Sequence, residues 1–317
     1  MPVPPKRPKI AAILGPTATG KSRIAVEVAP AIMAEIVSVD SMQVYRGMDI
    51  GTAKPGEPWT DLVPHHMLDV VEASREFSAA QFQEKARRAI EEINARGRTA
   101  LLVGGTGLYF EAVVYDISFP PGSADDELRR RLQQEAVQDL AGLKERLAAV
   151  DPVFASCHDF ANPRRVVRAM EVYERTGVPF SSFQSRRGMQ SSFYEFSGVA
   201  LNAPRQALYG AIDARVDAMF AAGLVEEVRS LAATSGLSRT ARQALGYKEV
   251  LDHLDRGIPL EETIGNVKRR SRNYAKRQLT WLRRIPGLYW LDLDEADLAE
   301  PSPWVIAAVL DHLRAGL

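Results

Sequence analysis

The chain has 317 residues, 46% hydrophobic and 25% charged, which excludes a disordered polypeptide and suits one large domain or two ordinary ones. Forty basic and forty acidic residues give a formal net charge of zero. That excludes general coating of nucleic acid but permits a local basic face, while a single cysteine, Cys157, excludes an internal disulfide and suits a reducing compartment.

The first residues, MPVPPKRPKIAAIL, carry an apolar run of about five residues, too short for a secretory signal core or a membrane span. A soluble, cytoplasmic protein is expected. KIAAIL (9–14) predicts a short buried strand, and GPTATGKS follows it, matching G-x-x-x-x-G-K-[ST] from Gly15 to Ser22. Glycines in such a loop let backbone N–H groups converge on phosphate oxygens, and the next helix adds its N-terminal dipole. In this pattern Lys21 supplies a point charge and Ser22 a hydroxyl suited to Mg²⁺. SRIAVEVAPAI predicts that helix, with Ile24, Val28 and Ile32 on one face.

EIVSVD (35–40) predicts a second strand ending on Asp40, where ligands sit in open α/β sheets. Three readings of Asp40 stay open on the residues alone: a Mg²⁺ acceptor through water, a general base for an acceptor substrate, or a turn aspartate. His65 and His66 are adjacent and read as turn or packing residues, and Cys157 with His158 lacks a second ligand pair, so no zinc site is expected. A helix is predicted over 78–95 and a third buried strand over 99–105. The glycines of LVGGTGLYF then bring backbone close to a ligand or form a tight turn, with Thr106 adding a hydroxyl.

From residue 123 the character becomes helical, with Ser123 as N-cap and Leu128, Leu132, Leu143 and Leu147 on one face. Residues 151–177 predict a second helical pair broken at Pro152 and Pro163. The Ser-, Gln- and Arg-rich residues 181–194 predict a mobile loop, residues 195–204 a strand returning to the sheet, and 205–232 one long helix. Arg215 lies on that helix at the edge of its apolar stripe, either clamping an oxyanion or lying along the surface. From Thr263 to Leu291 there is no acid, while Lys268, Arg269, Arg270, Arg272, Lys276, Arg277, Arg283 and Arg284 accumulate, as a solvated helix face or a surface for phosphate backbone. Strands alternating with helices predict an α/β fold with a parallel sheet, 1–115 and 196–317, interrupted by a helical insert, 116–195.

Eight segments in order, GPTATGKS, SVDSMQVYRGMDIGTAKP, PHHMLD, LLVGGTGLYF, NPRRVVRAMEVY, ARVDAMFAAGLVEEV, QALGYKE and AKRQLTWLR, resemble the bacterial tRNA dimethylallyltransferases over essentially the whole chain. Ser22 stands where some members have threonine, and either hydroxyl suits Mg²⁺. The resemblance implies a P-loop NTPase-like, nucleotide-kinase-like sheet whose loop holds a prenyl diphosphate. It implies transfer of a dimethylallyl group from dimethylallyl diphosphate to N6 of the adenosine 3′ of the anticodon in tRNAs reading codons that start with U, with Mg²⁺ as cofactor. Gly15, Pro16, Thr17, Ala18, Thr19, Gly20, Lys21 and Ser22 would bind diphosphate, Ser22 also holding Mg²⁺. Asp40, Thr106 and Arg215 would be catalytic. Asp40, Ser41, Met42, Gln43, Thr106, Arg129, Pro163, Arg164, Arg165, Val166, Val167, Gln243, Ala244, Leu245, Gly246, Tyr247 and Lys248 would touch the tRNA, with the insert closing over its anticodon stem-loop. The resemblance further implies a monomer with no membrane attachment.

Three rivals come from other readings. A P-loop small-molecule kinase needs a nucleotide-base pocket and an arginine lid, and the large insert and the separate basic stretch count against it. A prenyltransferase of free adenine nucleotides leaves NPRRVV and QALGYKE without a use. A non-catalytic RNA-binding module has no reason to keep Lys21, Ser22 and Asp40 together.

Overall fold

β1 (Lys9–Leu14) is buried from Ile10 to Leu14, on both of its faces. A strand buried on both faces belongs in a parallel sheet covered by helices. The computed structural model describes residues 8–115, 117–120, 126–184 and 192–317. It forms two compact units, Met1–Val114 with Phe193–Leu317, and Tyr115–Ser192.

In the first unit, β1 leads through the glycine-rich loop into α1 (Lys21–Val28), which Pro30 stops. β2 (Ala34–Val39) follows, then β3 (Tyr45–Arg46), α2 (Trp59–Leu62), β4 (His65–His66) and β5 (Val71–Glu72). Next come α3 (Ala79–Ala95), β6 (Thr99–Gly104) and α4 (Gly107–Val114). Ser78 caps α3 through a capping box with Gln81. After the second unit the chain continues with β7 (Glu195–Asn202). The described strands order as β4-β2-β6-β1-β7-β8, all paired in parallel, with β8 at Leu288–Asp292; β3 and β5 pair separately. β1 is central, so its loop emerges where connections leave toward both edges. That is where open α/β sheets bind ligands, and this is the expected P-loop NTPase-like arrangement.

The two histidines of β4 extend the sheet edge. His66 Nε2 lies 2.7 Å from Glu35 Oε2, and His65 Nδ1 lies 2.7 Å from the Val63 carbonyl. They lie in a short strand and not in a turn, and among the described residues no cluster suits a metal held by three His, Cys, Asp or Glu side chains.

The glycines after β6 permit very close backbone approach. A methyl group on Gly104 would lie 2.1 Å from the Val39 carbonyl oxygen, and one on Gly107 2.1 Å from Trp281 Cδ1. The ends of β2 and β6 are thereby pressed together behind the loop.

In the second unit, α5 (Asp126–Gln138), α6 (Leu140–Val150), α7 (Pro152–Ala155), α8 (Pro163–Thr176) and α9 (Phe180–Gln184) enclose Leu132, Leu143, Leu147, Phe154, Val166, Val167 and Met170. The helical character expected from 123 is carried by two helices, because Asp139 leaves helical geometry and caps α6 through Gly142 N. Ser123 and residues 185–191 of the expected loop lie outside the described residues. Pro152 and Pro163 open helices at the first position, where a missing N–H costs nothing, so they are starts as well as breaks.

Back in the first unit, the helix expected over 205–232 is also two, α10 (Arg205–Ala221) and α11 (Leu224–Ala233). Gly223 breaks it at φ 99°, in the left-handed region. α12 (Tyr247–Arg256), α13 (Leu260–Leu282), α14 (Glu295–Ala299) and α15 (Pro303–Gly316) complete the unit. α1, α10 and α15 bury Ile24, Val28, Leu208, Ile212, Val305, Val309 and Leu313 in one core with the sheet.

Gly104→Ala is expected to destabilise the protein by about 3 kcal/mol, the upper end for an overpacked site, because the new methyl meets backbone that cannot rotate away. Denaturant unfolding measures this; a loss within about 0.5 kcal/mol, typical of a neutral surface change, would contradict it.

Candidate active site

The loop from Gly15 to Ser22 is held at its base and open at its tip. Gly15 N donates to the Gly104 carbonyl at 3.3 Å, and Thr19 Oγ1 donates to the Pro16 carbonyl at 2.9 Å. Ala18 and Gly20 both adopt left-handed backbone, at φ 65° and 70°. That costs Ala18 roughly 1–2 kcal/mol and persists only where neighbours over-determine it. The five consecutive N–H groups of Ala18 to Ser22 find no acceptor among the described residues. A run of unpartnered amides at a helix N-terminus is a built anion cradle. Lys21 Nζ donates to the Pro16 carbonyl at 2.6 Å, on the same loop.

Gln278, from α13, braces this loop. Its Oε1 accepts from Thr17 N at 2.9 Å and its Nε2 donates to the Gly105 carbonyl at 3.1 Å. Nothing but its place in AKRQLTWLR marks it in the sequence, since a mid-helix glutamine is usually solvated.

Asp40 follows β2 directly. Its Oδ1 accepts from Met42 N at 2.8 Å and Gln43 N at 3.3 Å, and its Oδ2 makes no hydrogen bond to a described residue. One carboxylate oxygen therefore sets the turn and the other is available. Thr106 lies alongside: its N–H donates to the Val39 carbonyl at 3.2 Å and its Oγ1 accepts from Ser41 N at 3.2 Å. Tyr274, unmarked in the sequence reading, completes this corner. Burial, then the nearby Asp40 charge, push its phenol up to about 12, against hydrogen bonds with Thr106 and Gln278.

Arg215 on α10 and Lys21 are the two cations here. Burial, then the Arg215 charge, lower the Lys21 ammonium to about 7, against the opposing charge of Asp40. Burial likewise lowers Arg215, with Asp40 opposing. The Arg215 guanidinium makes no ion pair or hydrogen bond with a described residue. Two partly desolvated cations facing one carboxylate form a site short of negative charge.

Thr17, Asp40, Met42 and Arg215 line a cavity of about 410 Å³ together with Gly51, Thr52, Gln243, Ala244, Leu245, Gly246, Tyr274 and Arg277. The strand ends, α10, the turn at residues 243–246 and α13 thus meet around one space. The remaining residues of the expected RNA set are placed differently. Gln43 is buried, with its amide bonded to Ser38 Oγ and the Thr52 and Ala53 carbonyls. Tyr247 is fully buried, and Lys248 pairs with Asp252. In the second unit Pro163, Arg164 and Arg165 are exposed, Arg165 paired with Asp159, and Arg129 lies 4.0 Å from Glu171. Val166 and Val167 fall on the buried face of α8 with Met170.

The acid-free stretch is less free in space than in sequence. Lys268 pairs with Asp217 at 2.7 Å, Arg272 with Asp213 at 2.6 Å, and Arg270 with Glu249. Lys276, Arg277, Arg283 and Arg284 have no acidic partner among the described residues.

The chain matches the family model described as IPP transferase over residues 43–285. A tRNA dimethylallyltransferase of Moorella thermoacetica is 48% identical over 310 residues, 96% of this chain and 94% of that one. The solved tRNA isopentenylpyrophosphate transferase of Bacillus halodurans is 39% identical, with a TM-score of 0.67 over 97% of this chain and 98% of that one. A eukaryotic dimethylallyltransferase solved in snapshots of its action on tRNA is 28% identical, with a TM-score of 0.74 over 92% of this chain and 75% of that one.

The Lys21 shift has a pH consequence. In the unfolded chain the ammonium keeps its usual value of 10.5, so between about 7 and that value the folded state binds fewer protons. This group's destabilising effect is complete below pH 7 and fades as pH rises. Lys21→Met is therefore expected to be more stable than the parent at pH 7, with the gap closing by pH 10. Denaturant melts at both pH values test it, and a gap that widens with pH refutes it.

Proposed function

The chain belongs to the IPP transferase family of tRNA dimethylallyltransferases and is a prenyltransferase enzyme, and from that membership we propose how its cavity carries out the reaction. Dimethylallyl diphosphate donates its five-carbon group to N6 of adenosine 37, immediately 3′ of the anticodon, in tRNAs reading codons that begin with U. The observation that carries this reading is a cavity lined by Thr17 of the loop, a carboxylate with a free oxygen and an unpaired arginine, with the Ala18–Ser22 amide cradle following Thr17 directly in the chain.

The diphosphate lies against the Ala18–Ser22 amides, within reach of Lys21 once that ammonium leaves the Pro16 carbonyl. The adenine, extruded from its loop, enters the cavity past Gly51 and Gly246. N6 attacks the allylic carbon, the carbon–oxygen bond breaks, and diphosphate departs with the bonding electrons. Negative charge grows on the leaving oxygens, where preorganised amides, Lys21 and Arg215 stabilise it. The N6 lone pair is delocalised into the ring, so orientation and proton removal both matter. Asp40 Oδ2 accepts the amine hydrogen bond and then its proton, while the Met42 and Gln43 amides hold Oδ1 in place. Thr106 and Tyr274 border the reacting groups.

The donor set also fits Mg²⁺. Ser22 sits at the second position of α1 with a hydroxyl that makes no hydrogen bond to a described residue. An ion that takes most of its ligands from phosphate and water needs little more from protein. Bound there, it would neutralise charge on the diphosphate.

The enzyme acts as a cytoplasmic monomer on this reading, and among the described residues no helix is long and apolar enough to cross a membrane. The exposed Arg164 and Arg165, with Lys276, Arg277, Arg283 and Arg284, are the cations offered to RNA phosphates.

Mass spectrometry of an unmodified anticodon stem-loop incubated with protein, Mg²⁺ and dimethylallyl diphosphate tests the reading, with ATP replacing the donor in a parallel tube. A five-carbon addition to the adenosine 3′ of the anticodon, seen only with the prenyl donor, is expected. ATP consumption without RNA modification would overturn it. Asp40→Ala is expected to lower transfer by about 10²–10⁴-fold, the usual contribution of a positioned base, and to leave RNA binding within a few fold. Unchanged turnover would remove Asp40 from the mechanism.

A further inference from the structure

One carboxylate outside the cavity holds a large part of its wall. Glu227, in the first turn of α11, accepts from three successive backbone amides: Asp49 N at 3.0 Å and Ile50 N at 2.7 Å on Oε2, and Gly51 N at 3.2 Å on Oε1. Tyr247 O–H donates to the same Oε1 at 2.5 Å. Tyr247 opens α12 directly after Gly246, so the carboxylate joins residues 49–51 to the turn at 243–246. The joint has no slack. A methyl on Gly51 would lie 2.4 Å from the Tyr247 ring and 2.9 Å from Leu224. Gly51 and Gly246 both line the cavity, as Thr52 does.

We propose that Glu227 is a positioning residue for the acceptor end of the site: it sets the wall formed by residues 49–52 and 243–246 against which the extruded base lies. It touches neither substrate. The inference rests on the reading above, in which diphosphate occupies the end at Thr17 and the base the end at Gly51 and Gly246. Four donors converge on two oxygens, which only a carboxylate serves fully. Glutamine at this position would turn its own N–H₂ toward either an amide or the tyrosine hydroxyl, leaving at least one donor facing another donor.

Glu227→Gln is the test, with Tyr247→Phe as a milder second variant that keeps the charge and removes one donor. Two readouts apply. Hydrogen exchange of the Asp49, Ile50 and Gly51 amides is expected to quicken by about tenfold or more in Glu227→Gln, the effect of losing one hydrogen bond to a charged group, while the β1 and β6 amides keep their protection. In the transfer assay the KM for stem-loop RNA is expected to rise by about tenfold on the same basis, and the KM for the prenyl donor to stay within about twofold. Tyr247→Phe should move the RNA KM in the same direction by less. Unchanged exchange at 49–51, or equal rises in both KM values, would overturn the inference. If the parent enzyme itself adds no five-carbon group to the RNA, the underlying reading fails, and the exchange measurement still judges what Glu227 holds.

Discussion

The side-chain amide of Gln278 is the constraint on which the site depends. It bonds both the phosphate loop, at Thr17 N, and the turn after β6, at the Gly105 carbonyl. An amide can do this because it carries an acceptor and a donor side by side; a carboxylate would face the carbonyl with a like charge, and an apolar residue would leave two buried polar groups unpaired at about 1–3 kcal/mol each. The geometry also requires glycine at 105, where a methyl would sit 2.2 Å from the Gln278 nitrogen. Loop tip, strand end and α13 are thus locked into one unit. The loop's remaining amides are left facing outward, and the left-handed Ala18 is held in a conformation it would not choose alone.

That rigidity gives the electrostatics their meaning. Lys21 and Arg215 are both desolvated and repel one another, with Asp40 as their shared counter-charge. In the ligand-free protein the arrangement is costly. An anion of high charge relieves it on arrival, so part of the ligand's binding energy comes from ending a repulsion the fold maintains. Asp40 is kept from closing onto a cation because its Oδ1 is bound by the turn that follows it. The same logic explains α13. Its inward-facing cations are matched by Asp213, Asp217 and Glu249 from α10 and α12, which fixes the helix that carries Gln278 and Tyr274.

The elements with local signatures were legible in the sequence. Strand, loop and helix at 9–28, the aspartate closing β2, the helix over 78–95 and the glycines at 104 and 105 each follow from a short-range rule, and the structure shows each of them. Misreadings arose where a local rule was too coarse. Gly223 divides a segment whose apolar periodicity runs on through it, because periodicity reports a face and not continuity. Gln278, Tyr274 and Glu227 carried no signal because their partners are remote: Gln278 meets Thr17 across 261 positions and Glu227 meets Ile50 across 177. A polar residue at mid-helix looks solvated until the fold supplies what it binds.

A phosphate loop alone leaves open whether phosphate is the group transferred or the group discarded. The distinction lies in what faces the cradle. Phosphoryl transfer needs an acceptor placed in line with the terminal phosphorus, and a nucleobase pocket for the donor. Here the space beyond the loop is walled by Asp40, Arg215 and the glycine-lined segments at 51 and 246, and the carboxylate's free oxygen points to a proton that must be removed. On the proposed reading, a carboxylate so placed serves an amine nucleophile attacking carbon, and the diphosphate would be left behind in the cradle that bound it. The cradle's amides would then hold the same oxygens before and after the bond breaks. What changes during the reaction is the charge on those oxygens, and a site already short of negative charge favours that change.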